Sequence, residues 1–166
     1  MVEFGAFASE TWMPASMTGQ IPASDELVVG IVPKLTLRPA STGLGIAVNG
    51  LAGYGVDRGR LEYASLTGIV TLPATDSLNL NLNAGWGWNA AGTGHELFLG
   101  AQAEWTASSQ FLFMAEGFTR DYGKPGGQLG ARWMMPGGRV DLDLLAGRYV
   151  DSETPTSLTV GLTARW

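Results

Sequence analysis

Residues 77–90 read SLNLNLNAGWGWNA and alternate without a break. Leu78, Leu80, Leu82, Ala84, Trp86 and Trp88 hold the even positions, and Asn79, Asn81, Asn83, Gly85 and Gly87 the odd ones. Side chains at i and i+2 share one face of a β-strand, whereas a helix would scatter both sets around its axis. The stretch therefore predicts a strand with one wholly apolar face and one that is polar or empty. A chain built from such strands has to place two chemically opposite surfaces.

The pattern recurs along the chain. Leu97, Leu99, Ala101, Ala103 and Trp105 alternate with Glu96, Gly100, Gln102 and Glu104. Leu129, Ala131 and Trp133 alternate with Gln128, Gly130 and Arg132, and Val140, Leu142 and Leu144 with Asp141 and Asp143. Less regular strands are expected over 2–12, 27–38, 44–54, 61–72 and 111–120, and a last one over 157–166, which makes ten. The abundance of Gly, 24 in 166 residues, disfavours helices and agrees with an all-β chain of one domain spanning 1–166.

Breakers fall into two interleaved sets. PAST (39–42), PATD (73–76), ASSQ (107–110) and PGG (136–138) are compact turn formers, and DRGR, NAAGTGH, RDYGKPGGQ and VDSETPT, which lie between them, are looser. Their spacing resembles that of helical-hairpin repeats, but the period-two pattern excludes helices. Tight turns at one end and longer loops at the other predict an up-and-down antiparallel barrel of about ten strands.

Composition decides which face is wet. A soluble barrel would cover its exterior with Lys and Glu. Here the polar face carries Asn79, Asn81, Asn83, Gln102, Glu104, Gln128, Arg132, Asp141 and Thr163 among many glycines. Such a face suits a narrow, hydrogen-bonded interior, which leaves the apolar face outside in a bilayer. Aromatic placement agrees: Trp105, Phe111, Trp133 and Trp166 fall near the short-turn rim, and Trp12, Tyr54, Trp86 and Trp88 near the other, as in the interfacial girdles of membrane barrels. The competing reading is a soluble β-barrel carrying an apolar ligand, in which Leu80, Leu142 and Leu162 would point inward.

The chain ends in SLTVGLTARW, with Leu158, Val160, Leu162, Ala164 and Trp166 alternating against Thr159, Gly161, Thr163 and Arg165. This ending resembles the C-terminal signal of Gram-negative outer-membrane barrels that the barrel-assembly machinery reads, with Ala164 smaller than usual there. Over 61–166 the runs LNLNLNAGWGW, GAQAEW, MAEGF, QLGARW, VDLDLLAGR and TVGLTARW resemble the C-terminal part of proteobacterial outer-membrane barrels similar to transporters of the phenol-degradation MetA-pathway type. The resemblance implies an outer-membrane location, a lipid bilayer and the assembly machinery as partners, termini in the periplasm, and a structural role or passage of small solutes. The N-terminus MVEFGAFASETWMP lacks the positive and apolar regions of a signal peptide, so a mature or truncated chain is expected, with further strands upstream as an alternative.

Inside such a barrel, charges are expected to pair. With Pro136 and Gly137 at the centre of a type II turn, Trp133 faces Val140 outside and Arg132 faces Asp141 inside. Centring ASSQ puts Glu96 across from Arg120. Asp143 and Arg165 belong to the same lumenal set, and Phe98, Leu112, Met114 and Phe118 also face inward. Ten strands enclose little space, since barrels of about eight are filled and open pores come at about sixteen.

Other chemistries find little support. A net charge of −5 with no basic run excludes phosphate-backbone binding, and the absence of Cys excludes disulfides and Cys-ligated metals. His95 is the sole histidine and no G-x-S-x-G elbow is present, so an outer-membrane enzyme is the weaker alternative. Asp141 and Asp143 could serve acid–base work or a hard cation, but Arg132 and Arg165 on the neighbouring strands neutralise them. The glycines of NAGWGWNAAGTG lack the G-K-[ST] of a phosphate loop. No cofactor and no metal are expected.

Overall fold

A computed structural model describes residues 1–13, 24–90, 94–120, 125–150 and 156–165, with the side chains of residues 10–13, 24–26 and 165 outside the description. Ten strands follow one another: β1 (Val2–Met13), β2 (Ser24–Arg38), β3 (Gly45–Gly55), β4 (Arg60–Pro73), β5 (Leu78–Asn89), β6 (Gly94–Thr106), β7 (Phe111–Arg120), β8 (Gly126–Met134), β9 (Val140–Tyr149) and β10 (Ser157–Arg165). Each is antiparallel to its chain neighbour, and β1 pairs with β10 from Glu3–Arg165 to Thr11–Ser157, which closes the barrel. Closure removes the unpaired strand edges that would otherwise expose backbone donors and acceptors.

The two ends differ. The start of β1, the end of β10 and the turns at 39–44, 74–77, 107–110 and 135–139 share one end; the turn at 56–59 and the facing ends of β1 and β2, β5 and β6, β7 and β8, and β9 and β10 share the other. Residues 57–60 were expected to form one of the looser loops. Instead the turn at 56–59 is tight, with Gly59 at φ +63° and its N–H donating to the Gly55 carbonyl, and Arg60 already belongs to β4.

Burial is inverted relative to a water-soluble domain. Leu82, Leu99 and Leu129 are 53%, 58% and 66% exposed, whereas Asp141 is fully buried and Glu62, Asn81 and Asp143 nearly so. Among the described residues the buried hydrophobic side chains are only Val28, Ala47 and Met114. Leu80, Leu142 and Leu162 are exposed on the outer face, which overturns the soluble carrier reading that needed them inside. The physical reason is the pairing: with Asn81 and Asp141 walled in by neighbouring strands, the strict alternation turns every adjacent leucine outward.

Both hairpin registers differ from expectation by two residues. The β8–β9 turn does have Pro136 and Gly137 at its centre, with Gly137 at φ +102° and the Gly138 N–H donating to the Met135 carbonyl. The strands, however, begin to pair only at Met135 and Val140, since Gly138 and Arg139 are accommodated beyond the turn. Trp133 therefore pairs with Leu142 rather than Val140, and Arg132 with Asp143 rather than Asp141. Across β6–β7, Arg120 pairs with Phe98 rather than Glu96. A shift of two preserves the faces, because strand side chains repeat every second residue.

Candidate solute path through the lumen

The inward side chains divide the lumen into a packed sector and an open one. The packed sector lies against β8, β9 and β10. There Arg132 grips Asp143 with two parallel hydrogen bonds, Nε to Oδ1 at 2.6 Å and Nη2 to Oδ2 at 3.0 Å, while Asp141 Oδ2 stands 3.8 Å from Nε. Thr163 Oγ1 donates to Asp143 Oδ2 at 3.4 Å from the next strand. A planar guanidinium matches a carboxylate in this fork, which fixes orientation as well as charge. The cluster was expected to centre on Asp141; the two-residue register shift moves the fork to Asp143.

A second network crosses the middle strands. Asn81 accepts from Thr71 Oγ1 at 2.7 Å and donates to Gln102 Oε1 at 2.9 Å, so three strands are tied at one level. Glu116 accepts from Asn83 Nδ2 at 2.9 Å and from Gln128 Nε2. Arg120 bonds Glu96 diagonally, through Nη1, and its guanidinium lies 5.5 Å from the Phe98 ring centroid. At the same end of the barrel, Glu62 receives Arg60 Nε at 2.8 Å and Arg58 Nη1 at 3.4 Å.

Interior glycines make room for rings. A Cβ on Gly30 would stand 2.2 Å from the Ala52 carbonyl oxygen and 2.5 Å from the Phe7 ring; one on Gly53 would stand 2.5 Å from the Tyr63 ring. Phe7 and Tyr63 in turn stack with centroids 6.3 Å apart. Gly126 serves Phe118 in the same way, and Phe118 meets Tyr149 edge-on at 5.4 Å.

What remains open is a cavity of about 420 Å³. Lys34, Asn49, Ser65 and Thr67 form its β2–β4 side, and Phe98, Glu104, Glu116, Phe118 and Arg120 its β6–β7 side. Such a volume lies within the range of about 300–1,000 Å³ of small-molecule sites. Asn79 pairs with Glu104 on the inward face at the short-turn end.

Most of the sequence-derived positions can be placed. Tyr54, Trp86, Trp105, Phe111 and Trp133 are exposed on the outer face, and Trp88 is half-buried. Leu158, Val160 and Leu162 are also exposed outside. Trp166 and the side chains of Trp12 and Arg165 lie outside the described residues. His95 stacks on Trp86, centroids 5.3 Å apart, on the outer face.

Sequence reasoning missed Lys34, Glu62 and Glu116 inside, and Phe4 and Phe113 outside, where Phe113 stacks on Trp105 at 5.9 Å. Glu116 was legible, because it shares parity with Met114 and Phe118. Lys34 was not, because Val28 and Val32 precede it at the same parity and leave both faces of that part of β2 apolar.

The family model described as "Uncharacterised conserved protein UCP029691" matches residues 25–166. No curated protein matches the sequence. Among solved structures, the KdgM porin in complex with disordered oligogalacturonate is similar at a TM-score of 0.60 and 9% identity, covering 100% of this chain and 99% of that one. The NanC porin is similar at a TM-score of 0.53 and 10% identity, covering 99% of each chain. At such identities the likeness is one of fold: a closed ten-strand antiparallel barrel.

Proposed function

The chain belongs to the family described as uncharacterised conserved protein UCP029691, and from that premise we propose that it is an outer-membrane β-barrel acting as a narrow channel for small solutes. The observation that carries this reading is the inverted distribution of side chains around a lumenal cavity of about 420 Å³. An outer surface of leucine, valine and alanine between aromatic bands suits a hydrocarbon layer with an interface at each rim, and it would be costly in water. A wet interior supplies the polar path that the bilayer lacks.

Several finer assignments accompany the reading. The end that carries both termini and the short turns faces the periplasm, and Leu158, Val160, Leu162, Ala164 and Trp166 form the segment that the assembly machinery reads. The lumenal ion pairs of Arg132 and Arg120 hold the interior polar and narrow, with Glu104, Asn81 and Asn83 lining the path and Asn79 paired with Glu104 at its short-turn end. The resemblance of the runs over 61–166 to transporters of the MetA-pathway type rests on sequence alone and agrees with a small solute. No catalytic role is assigned to any residue. One structural neighbour was solved with oligogalacturonate, which makes oligosaccharides a natural probe of the passage.

The test has two stages. The purified chain is refolded in detergent and run with and without heating on a denaturing gel; faster migration of the unheated sample is expected. It is then inserted into a planar bilayer, where discrete conductance steps are expected. A chain that is folded and soluble in plain buffer would overturn the membrane assignment, and a heat-modifiable barrel that never conducts would overturn the channel.

A further inference from the structure

We infer that the lumenal cavity is a binding subsite for neutral, polyhydroxylated solutes of the carbohydrate class. The inference rests on the channel reading above and narrows what passes. Three features of the cavity carry it.

The first is charge. The wall holds two cations, Lys34 and Arg120, and two carboxylates, Glu104 and Glu116. Arg120 is already committed to Glu96, and Glu116 to Asn83 and Gln128. With Arg120 neutralised by Glu96, Lys34 is left against Glu104 and Glu116, so the wall has no positive potential that would concentrate anions. A polyanion would meet the carboxylates without a compensating row of free arginines.

The second is unspent hydrogen-bonding capacity. Among the described residues, Asn49 Oδ1 on β3 is buried without a hydrogen-bond partner, and the hydroxyl residues Ser65 and Thr67 of β4 line the cavity beside it. Hydroxyls and amides both donate and accept, so this wall suits a ligand whose groups do the same, which is the property of a sugar hydroxyl. On β5–β8, Asn81 and Gln102 are tied to each other and Asn83 Nδ2 and Gln128 to Glu116, while Asn83 Oδ1 and Arg120 Nε add two further atoms at the cavity wall without a partner among the described residues.

The third is the aromatic side. The Phe98 and Phe118 rings border the same cavity from β6 and β7, with centroids 6.0 Å apart. A pyranose presents hydroxyl edges and a C–H face, so a ring seated between the β3–β4 hydroxyls and the two phenylalanines would match both walls. Binding sites for small molecules combine an apolar, aromatic surface with a few placed polar groups in this manner.

The experiment uses the full chain in a planar bilayer, with maltotriose as the neutral probe and oligogalacturonate as the acidic one. Maltotriose should reduce the current in a concentration-dependent way, and oligogalacturonate should not at equal concentration. In Thr67→Val/Asn49→Leu the blocking concentration should rise roughly tenfold, as the loss of two hydrogen bonds implies. Ser65→Ala, the mildest change, should give a smaller rise in a barrel whose folding the gel assay verifies. Conductance that maltotriose leaves untouched, or that oligogalacturonate blocks in preference, would overturn the subsite and leave the channel standing. If the barrel does not conduct, calorimetric titration of the refolded protein with maltotriose separates the two claims: binding keeps the sugar subsite while the channel falls, and absence of heat overturns the subsite.

Discussion

The β8–β10 sector and the β2–β4 sector obey the same alternation, yet one is filled and the other lines a cavity. In the first, Arg132, Asp141, Asp143 and Thr163 project from adjacent strands at matching levels, and opposite charges draw the side chains together until the space closes. In the second, Asn49, Ser65 and Thr67 are short and neutral beside the one long cation Lys34, and the space before them stays open. The contrast teaches that in a narrow barrel the openness of the lumen is set locally, by the length and charge of inward residues, and not by strand number alone.

The sharpest way to break this contrast is to remove the fork. Asp143→Ala leaves Arg132 without its bidentate partner inside the barrel and should cost about 3–5 kcal/mol, read from urea unfolding in lipid vesicles. Asp141→Ala should cost less, because Asp141 stands farther from the guanidinium, at 3.8 Å against 2.6 Å. Equal costs would mean that the cluster has no preferred pair.

Next in size is a change on the other face of the same alternation. Leu82→Arg places a charge on the proposed lipid surface beside the inward Asn81, and should cost about 2–4 kcal/mol if Leu82 lies near the bilayer middle. The same vesicle titration reads it, and an unchanged unfolding curve would mean that the outer surface is not in contact with lipid.

The smallest effect separates two glycines that look alike in sequence. Gly30→Ala would drive a methyl into the Ala52 carbonyl and the Phe7 ring, an overpacking worth about 1–3 kcal/mol. Gly117→Ala meets open space and should stay within about 0.5 kcal/mol. If both were neutral, the ring of Phe7 would not be seated on Gly30 as described.

Strand faces were legible in the chain because they depend on parity alone. From Leu78 to Trp88, or from Leu158 to Leu162, apolar and polar residues alternate, and no choice of partner strand can change which set lies together. The inward placement of Arg132, Asp141 and Asp143 followed from the same parity. Their pairing did not, because it depends on how many residues the turn at 135–139 absorbs beyond its Pro-Gly centre. The Arg120–Glu96 contact was reached from the wrong register, since a long side chain spans a diagonal as readily as a direct pair.

On its own, then, the sequence determined an all-β chain of about ten two-faced strands, their approximate limits, and the polar character of one face. Local periodicity carries that information, and it needs no long-range contact. The tertiary structure decided the closure of β1 on β10, the register of each hairpin, the choice of Asp143 over Asp141, and the meeting of Lys34, Asn49, Ser65 and Thr67 with Phe98 and Phe118 around one cavity. Those residues come from strands far apart in the chain, and only the curvature of a closed sheet brings their faces to the same space.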